Sequence, residues 1–383
     1  MSVTQPAGFI ASGVAAGIKA SNDLDLALIV NTGPRFNAAG VFTSNRISAA
    51  PVRWSQTIVE NGEAKAVILN SGGANACTGT PGDQDAAAMA DHTAKALDIA
   101  ANDVLVCSTG LIGERLPMDN LLPGISLAAE ALSTTGSDSA AKAIMTTDTV
   151  HKTAQANGPG YSVGGLAKGA GMMAPGMATM LAVVTTDAVI DSALAQELLT
   201  EAVRTTFNRA DSDGCMSTND TVLLLASGAS EITPQKSELQ ELLREVCASL
   251  ARQIIGDAEG STRDIAVTVH GAATEADGEE VARTVTRSNL FKTAMFGKDP
   301  NWGRIISAVG TTQALFDPRT IDVAVNDVMV CRNAGIGEDR NLVTFDDREV
   351  TVDIYLKAGE HNVTVWTNDL SYDYVRENAE YSS

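Results

Sequence analysis

The sequence predicts an α/β layered fold, and three patterns carry that prediction. Short apolar runs at Leu26–Val30, Ala66–Leu69 and Val104–Val106 have the length and composition of buried strands, with a helical stretch over 83–99 between two of them. Leu239, Leu242, Leu243 and Val246 repeat at three and four, the spacing of an amphipathic helix over Pro234–Gly256. Val350–Leu356 and Val363–Trp366 alternate with period two, so they are expected as strands with one wet face.

The other elements follow in chain order. Asp83 and Gln84, after a Pro-Gly pair, suit a helix entry. Leu121–Thr147 reads as one or two helices. It closes on Thr146-Thr147-Asp148-Thr149, a density of Thr and Asp that caps or turns a chain and can equally line a pocket with hydroxyls. Ala154–Tyr161, polar and containing Gly and Pro, reads as a surface loop. Glycines and a proline make 168–179 irregular, and Met180–Thr185 then reads as a buried strand. Asp191–Arg209 has helical spacing, with Leu194, Leu198 and Val203 on one face. A polar loop, Asp211–Thr221, leads into the strand Val222–Ala226. Ile265–Val269 is the next strand and Gly278–Phe296 a further helix, and a polar corner at Lys298–Arg304 precedes the apolar run Ile305–Val309. The aromatic density of the tail after Thr367 is expected to dock it.

Composition narrows the chemistry. A chain of 383 residues, 44% of them apolar, is long enough for one large or two ordinary cores. Its formal charge of -20 argues against nucleic acid and anionic membrane as partners, because phosphate surfaces need clustered Lys and Arg. No apolar run approaches the roughly 20 residues that span a bilayer, and the start lacks a basic then apolar leader, so a cytoplasmic location is expected. Five widely spaced cysteines without a C-x-x-C pair suggest neither zinc nor a disulfide framework, and four scattered histidines show no metal spacing. An enzyme built from this sequence is expected to work without a transition metal or cofactor.

Several places hold residues suited to chemistry. Thr179 stands where the 168–179 loop becomes a strand. It reads either as a strand-initiating Thr or as a nucleophile whose base is its own α-amine, freed by cutting the chain before it. Leu69-Asn70-Ser71-Gly72-Gly73-Ala74-Asn75 and Cys107-Ser108-Thr109-Gly110-Leu111-Ile112-Gly113 each follow a strand. Glycine-exposed N–H groups there could hold an anion or a developing oxyanion, or form ordinary turns. Asp211 and Asp213 could attract a hard cation, but their spacing does not match a calcium loop, and a hydrogen-bonded turn is the expected reading. Glu259, flanked by small residues, could be approached closely by a substrate ammonium.

Taken in order, N-S-G-G-A-N-A-C-T-G (70–79), S-T-G-L-I-G-E-R-L-P (108–117), M-T-T-D-T (145–149), K-G-A-G-M-M-A-P-G-M-A-T-M-L (168–181), S-T-N-D-T (217–221), D-A-E-G (257–260), D-P-N-W-G-R-I (299–305) and the tail from Thr367 to Ser383 resemble the ornithine acetyltransferase (glutamate N-acetyltransferase) family of arginine biosynthesis, from about Gly8 to the end. The resemblance implies a self-cleaving precursor with the layered α/β architecture of N-terminal-nucleophile enzymes, mixed sheets packed between helices. The cut falls between Ala178 and Thr179, giving an α-chain, 1–178, and a β-chain, 179–383, that begins at the nucleophile Thr179. The oxyanion pair maps onto Thr109 and Gly110. Substrate contacts map onto Thr146 or Thr147, Lys168, Thr179, Glu259, Asn378 and Ser383. Ala170 and Gly176 stand where many of the family carry Ser and Asn, which leaves these roles in place.

The implied reaction is ping-pong transfer of acetyl from N-acetylornithine to glutamate, releasing ornithine and N-acetylglutamate, in an assembly of two α- and two β-chains. Acetyl-CoA stays open as a second donor. Two other readings stand beside it. One is a Thr- or Ser-nucleophile aminopeptidase, with water in place of glutamate, and the other a non-catalytic small-molecule binding protein with the Gly-rich loops as an anion cradle.

Overall fold

The computed structural model describes residues 2–174 and 180–380. Ala178, Thr179 and Ser383 therefore lie outside the described residues. The chain forms two compact units: one runs to Asn208 and includes Cys215–Ile254, and the other comprises Arg209–Gly214 and the residues from Ile255.

In chain order the first unit contains β1 (Phe9–Val14), β2 (Leu26–Asn31), β3 (Asn37–Phe42), α1 (Ala50–Val59), β4 (Ala66–Gly73), α2 (Gly79–Leu97), β5 (Val104–Leu111), α3 (Met118–Glu130) and α4 (Ser137–Ala143). These are followed by β6 (Lys152–Asn157), β7 (Ser162–Lys168), β8 (Leu181–Thr186), α5 (Ser192–Thr205), β9 (Thr221–Ala226) and α6 (Lys236–Gly256). Its strands form two sheets, β1-β2-β4-β5 and β3-β9-β8-β7-β6. Each is mixed: β4/β5 and β8/β9 are parallel, joined through the helices α2 and α5, and the other neighbours are antiparallel.

The period-two geometry of a strand sorts the side chains into layers. Ala27, Ile29, Val67, Leu69, Leu105 and Cys107 of the first sheet share one core with Leu166, Leu181, Val183, Leu223 and Leu225 of the second. Leu26, Leu28, Ala66, Ile68, Val104 and Val106 point the other way, onto Met89 and Ala90 of α2 and Leu121 and Ile125 of α3. On the far side of the second sheet, α6 approaches Gly165 of β7 so closely that an added Cβ would stand 3.1 Å from Leu250. The result is helix, sheet, sheet, helix, the expected mixed sheets between helices. Strands covered on both faces are apolar on both sides over Ala66–Leu69 and Val104–Cys107, which is why these stretches read as continuous runs.

The second unit contains β10 (Asp264–Ala272), α7 (Glu275–Thr286), α8 (Asn289–Phe296), α9 (Trp302–Val309), β11 (Asp322–Val325), β12 (Val328–Arg332), β13 (Gly335–Ile336), β14 (Glu349–Tyr355), β15 (His361–Asn368) and α10 (Tyr372–Glu380). Its sheet runs β13-β12-β11-β14-β10-β15. Only one face is packed: Ile265, Val267 and Val269 meet Val281 and Val285 of α7 and Ile305 of α9, while Ala266 and Thr268 stay partly exposed. The alternating pattern expected for β14 and β15 has this cause.

Four expectations change. Residues 154–161 are not a surface loop but β6 and its turn. As an edge strand β6 keeps Gln155 and Asn157 in water, and that polarity masks its pairing with β7. The single helix over Gly278–Phe296 is two, because Ser288 adopts extended backbone and its side chain accepts the Phe291 N–H, capping α8. The helix expected from Asp83 begins at Gly79, with Pro81 in the first turn, where a missing N–H costs nothing. The tail forms α10 but buries no side chain, and Tyr372 is 82% exposed apart from an edge contact with Phe296. It is held by polar contacts instead.

Candidate active site

Where β7 ends, Lys168 is buried beneath the surface, and its Nζ donates to Thr146 Oγ1 at 2.7 Å and stands 3.8 Å from Asp148. Asp148 is the hub of this cluster. Its carboxylate accepts the Lys152 ammonium at 2.6 Å, the Gly169 N–H at 2.7 Å and the Thr146 N–H at 3.0 Å. Burial alone would push the Asp148 carboxyl up, but the ammonium groups of Lys168 and Lys152 hold it well below the ordinary carboxylate range. Between the two threonines left open by the sequence, Thr146 is the one brought to Lys168.

Thr109 and Gly110 lie near the end of β5, beside the two glycines that end β4. The parallel ladder pairs Ser71 with Thr109 and Gly72 with Gly110, then shifts register at Gly73. Gly110 has a φ of 129°, and a Cβ added there would lie 2.5 Å from Gly73 N and 2.6 Å from Gly72 C. Only glycine fits such a backbone and such an approach. The strand ends are tied from below. Asn219 Nδ2 donates to Ser108 O at 2.8 Å and Ala74 O at 2.6 Å, and Ser108 Oγ donates to Asn70 Oδ1 at 2.6 Å. A bulged, glycine-lined strand end held rigidly in this way is suited to present N–H groups to a developing oxyanion.

Asp220 stands at the entry to β9. One of its oxygens accepts the N–H of Met180, the residue that follows Thr179 in the sequence, at 3.1 Å. Its full burial pushes the carboxyl well above the usual range, a rise that the Met180 N–H, Ser217 and Lys168 oppose without cancelling. Burial thus favours the protonated form of Asp220, while the lysines favour the anion of Asp148, both in the first unit.

In the second unit, Glu259 Oε2 accepts from Asn378 Nδ2 at 3.0 Å, so these two predicted contacts come together. The turn at Gly260 has a φ of 62°, and a Cβ there would fall 2.1 Å from Tyr374 N. Ser371 Oγ donates to Gly260 O at 2.5 Å, and Asp369 accepts the N–H groups of Thr262 and Arg263. These polar contacts place α10 against the Glu259 turn. Asp211 is not a cation ligand in waiting: its Oδ2 receives Arg287 Nε at 2.7 Å.

Sequence reasoning saw Asp148 only as part of a capping cluster and missed Lys152 and Asp220 as site residues. Asp220 had a signal, since it lies within S-T-N-D-T (217–221). Lys152 had none, because its partner is visible only once β6 is paired with β7.

The comparisons with known proteins can be set beside this geometry. The ArgJ family model matches residues 10–383. The chain belongs to the ArgJ family. A Streptomyces avermitilis protein named arginine biosynthesis bifunctional protein ArgJ is 58% identical over the full length of both chains. A protein of that name from Mycobacterium leprae is 51% identical, covering all of this chain and 96% of its own. A crystal structure of the Bacillus halodurans protein of that name is 37% identical with a TM-score of 0.50, covering 52% of this chain and 98% of the solved one. The ArgJ match spans every segment that carries a candidate site residue.

Proposed function

We propose that this ArgJ family chain is a glutamate N-acetyltransferase of arginine biosynthesis, moving acetyl from N-acetylornithine to glutamate through an acetyl ester on Thr179. The observation that carries this reading is the end-to-end likeness to a relative named for arginine biosynthesis at 58% identity. Each unit supports it by itself. In the first, Lys168 is a cation for a substrate carboxylate and the Thr109–Gly110 strand end a cradle for the acetamide oxygen; in the second, Glu259 with Asn378 is an anion for an ammonium.

The chain first cuts itself. Thr179 Oγ attacks the Ala178 carbonyl, the peptide C–N bond breaks as the nitrogen takes a proton, and water hydrolyses the resulting ester. The new α-amine has a reference pKa of about 7.7–8.0, so a useful fraction is neutral near pH 7 and can take the Thr179 hydroxyl proton. Attack on the acetamide carbonyl puts negative charge on its oxygen, where losing one donor costs about 3 kcal/mol of barrier. Collapse expels ornithine, which takes the proton, and the glutamate amine then attacks the acetyl ester and regenerates the hydroxyl. The kinetics are ping-pong.

The expected β-chain, 179–383, is slightly more than half of the sequence, and the solved Bacillus halodurans chain is accounted for by 52% of this one, which supports processing into two polypeptides. No described helix is long and apolar enough to cross a membrane. Ser383 as a substrate contact, acetyl-CoA as a second donor, an assembly of two α- and two β-chains and a cytoplasmic location complete the proposal and rest on the family resemblance. No metal or cofactor enters the proposed steps.

Intact mass spectrometry and an acetyl-transfer assay test it together. Expected are two polypeptides, the second starting Thr-Met-Leu-Ala, and label from N-acetylornithine appearing on glutamate. A single uncut chain, or a Thr179→Ala variant with undiminished turnover, overturns the reading; release of free acetate without transfer favours the hydrolase.

A further inference from the structure

The loop between β1 and β2 is fixed by one buried carboxylate. Asp25 accepts the N–H of Ala16 at 2.6 Å, of Ile18 at 2.7 Å and of Lys19 at 3.1 Å, so the backbone from Ala16 to Lys19 is pinned. This holds Ile18 and Lys19 over Gly72: a Cβ on that glycine would stand 2.9 Å from Ile18 Cγ2 and 3.6 Å from Lys19 Cγ. Gly72 pairs with Gly110 in the β4–β5 ladder. The stem of Lys19 therefore lies one glycine away from the proposed oxyanion glycine. Its Nζ donates to Leu24 O at 2.9 Å, which uses one of three N–H groups.

The charge around this ammonium is of both signs. The Lys19 ammonium lies within the fields of Asp25, Asp23, Asp148 and Lys168, and its pKa is lowered by burial, with the acids opposing and Lys168 adding to the fall. Asp148 already carries Lys152 and Lys168. Three ammonium groups, those of Lys19, Lys152 and Lys168, are thus gathered here with the carboxylates of Asp23, Asp25 and Asp148, in a chain whose formal charge is -20. A gathering of cations beside a glycine-lined strand end, with Lys19 using one N–H on Leu24 O, is suited to receive an anion.

We propose that Lys19 is a substrate-binding residue, the second cation of a clamp in which it and Lys168 hold the α-carboxylate common to the acetyl donor and the acceptor. The proposal rests on the acetyl-transfer reading. It supplies what that reading lacks, a cation reaching from the acetyl-bearing end of the substrate towards Lys168. In an N-acetyl-α-amino acid one carbon separates the acetylated nitrogen from the carboxylate, so a carboxylate ligand is needed close to the oxyanion strand, where Lys19 stands.

The test is calorimetric binding of ornithine and of putrescine, its analogue without the carboxylate, to mature wild type, Lys19→Met and Lys19→Arg. Wild type is expected to bind ornithine at least about 10-fold more tightly than putrescine. Lys19→Met should lose about 10- to 100-fold for ornithine and leave putrescine unchanged, the size of one charge-assisted contact, and Lys19→Arg should recover most of it. Unchanged ornithine affinity in folded Lys19→Met overturns the clamp, and so does an equal loss for both ligands, which would mark a loop-packing role. If Lys19→Met does not fold, Lys19→Gln takes its place, and failure of both to fold overturns the proposal. Absence of ornithine binding in wild type sinks the acetyl-transfer reading and the clamp with it, an outcome distinct from the others.

Discussion

Asp148→Asn is the sharpest single perturbation of the candidate site. The Asp148 side chain is fully buried and accepts Lys152 Nζ, Gly169 N–H and Thr146 N–H, with Lys168 Nζ at 3.8 Å. An amide of the same shape turns one acceptor into a donor that must face other donors, and it takes away the anion that Lys152 and Lys168 share. Breaking a buried ion pair from one side costs about 3–5 kcal/mol. For a unit of this size, each kcal/mol moves the melting temperature by about 2–4 °C, so a fall of about 6–20 °C is expected at pH 7. The acid limb supplies the sign. Because the folded Asp148 carboxyl is held below its unfolded value of about 3.9, its stabilisation is present above that value and lost as pH falls. The gap between wild type and Asp148→Asn should therefore narrow below about pH 4. Adding Lys152→Met to Asp148→Asn removes one buried charge and should recover much of the loss. Thermal melts from pH 3 to 8 read all of this, and a variant that melts with wild type at pH 7 would refute the reasoning.

Asp220→Asn should behave oppositely. The folded acid binds its proton more tightly than the unfolded one, so wild type loses stability as pH rises through the window above about 3.9, and the amide, which keeps an acceptor for the Met180 N–H, should gain relative to it as pH rises; a gap that widens against the amide with rising pH in urea titrations would contradict the upward shift. Gly110→Ala meets both a φ of 129° and a contact of 2.5 Å with Gly73 N, and acetyl transfer should fall by about 100-fold or more in steady-state assays of cut protein. Gly260→Ala drives a Cβ against Tyr374 N and should raise the KM for N-acetylornithine by displacing Asn378 from Glu259 while the chain is still cut, as kinetics and a denaturing gel will report. After cleavage the two polypeptides should co-elute on gel filtration and separate only in denaturant.

The periodic parts of the fold were legible because burial writes itself into composition. Strands covered on both faces, such as β4 and β8, can only be apolar runs, and α6 shows its stripe because one side meets β7. What stayed hidden was set by pairing rather than by residue type. β6 is polar because it is an edge, and the break at Ser288 depends on a single hydroxyl reaching an N–H. The site divided along the same line. Glycines at 72, 73, 110 and 260 announced themselves through the conformations they permit, and recognisable motifs carried Thr146, Lys168 and Glu259. The charge balance around Asp148 was not visible, since Lys19, Lys152 and Lys168 are scattered in sequence and meet only through a β1–β2 loop, an edge strand and the end of β7.

The same sheet explains how the chain can be cut at one point and keep its site. β3, β6 and β7 precede the expected cut and β8 and β9 follow it, yet the sheet order interleaves them as β3-β9-β8-β7-β6. β8 pairs with β7 on one side and β9 on the other, from Leu181 to Thr186, and β9 pairs with β3 along its length. At the start of β8, the Met180 N–H is taken by Asp220 and its carbonyl by the Thr221 N–H. The backbone just beyond Thr179 is therefore fixed by hydrogen bonds that do not run through the peptide bond to be broken. Breaking that bond would remove a covalent link but no ladder, so Lys168 at the end of β7 and Met180 at the start of β8 would keep their places.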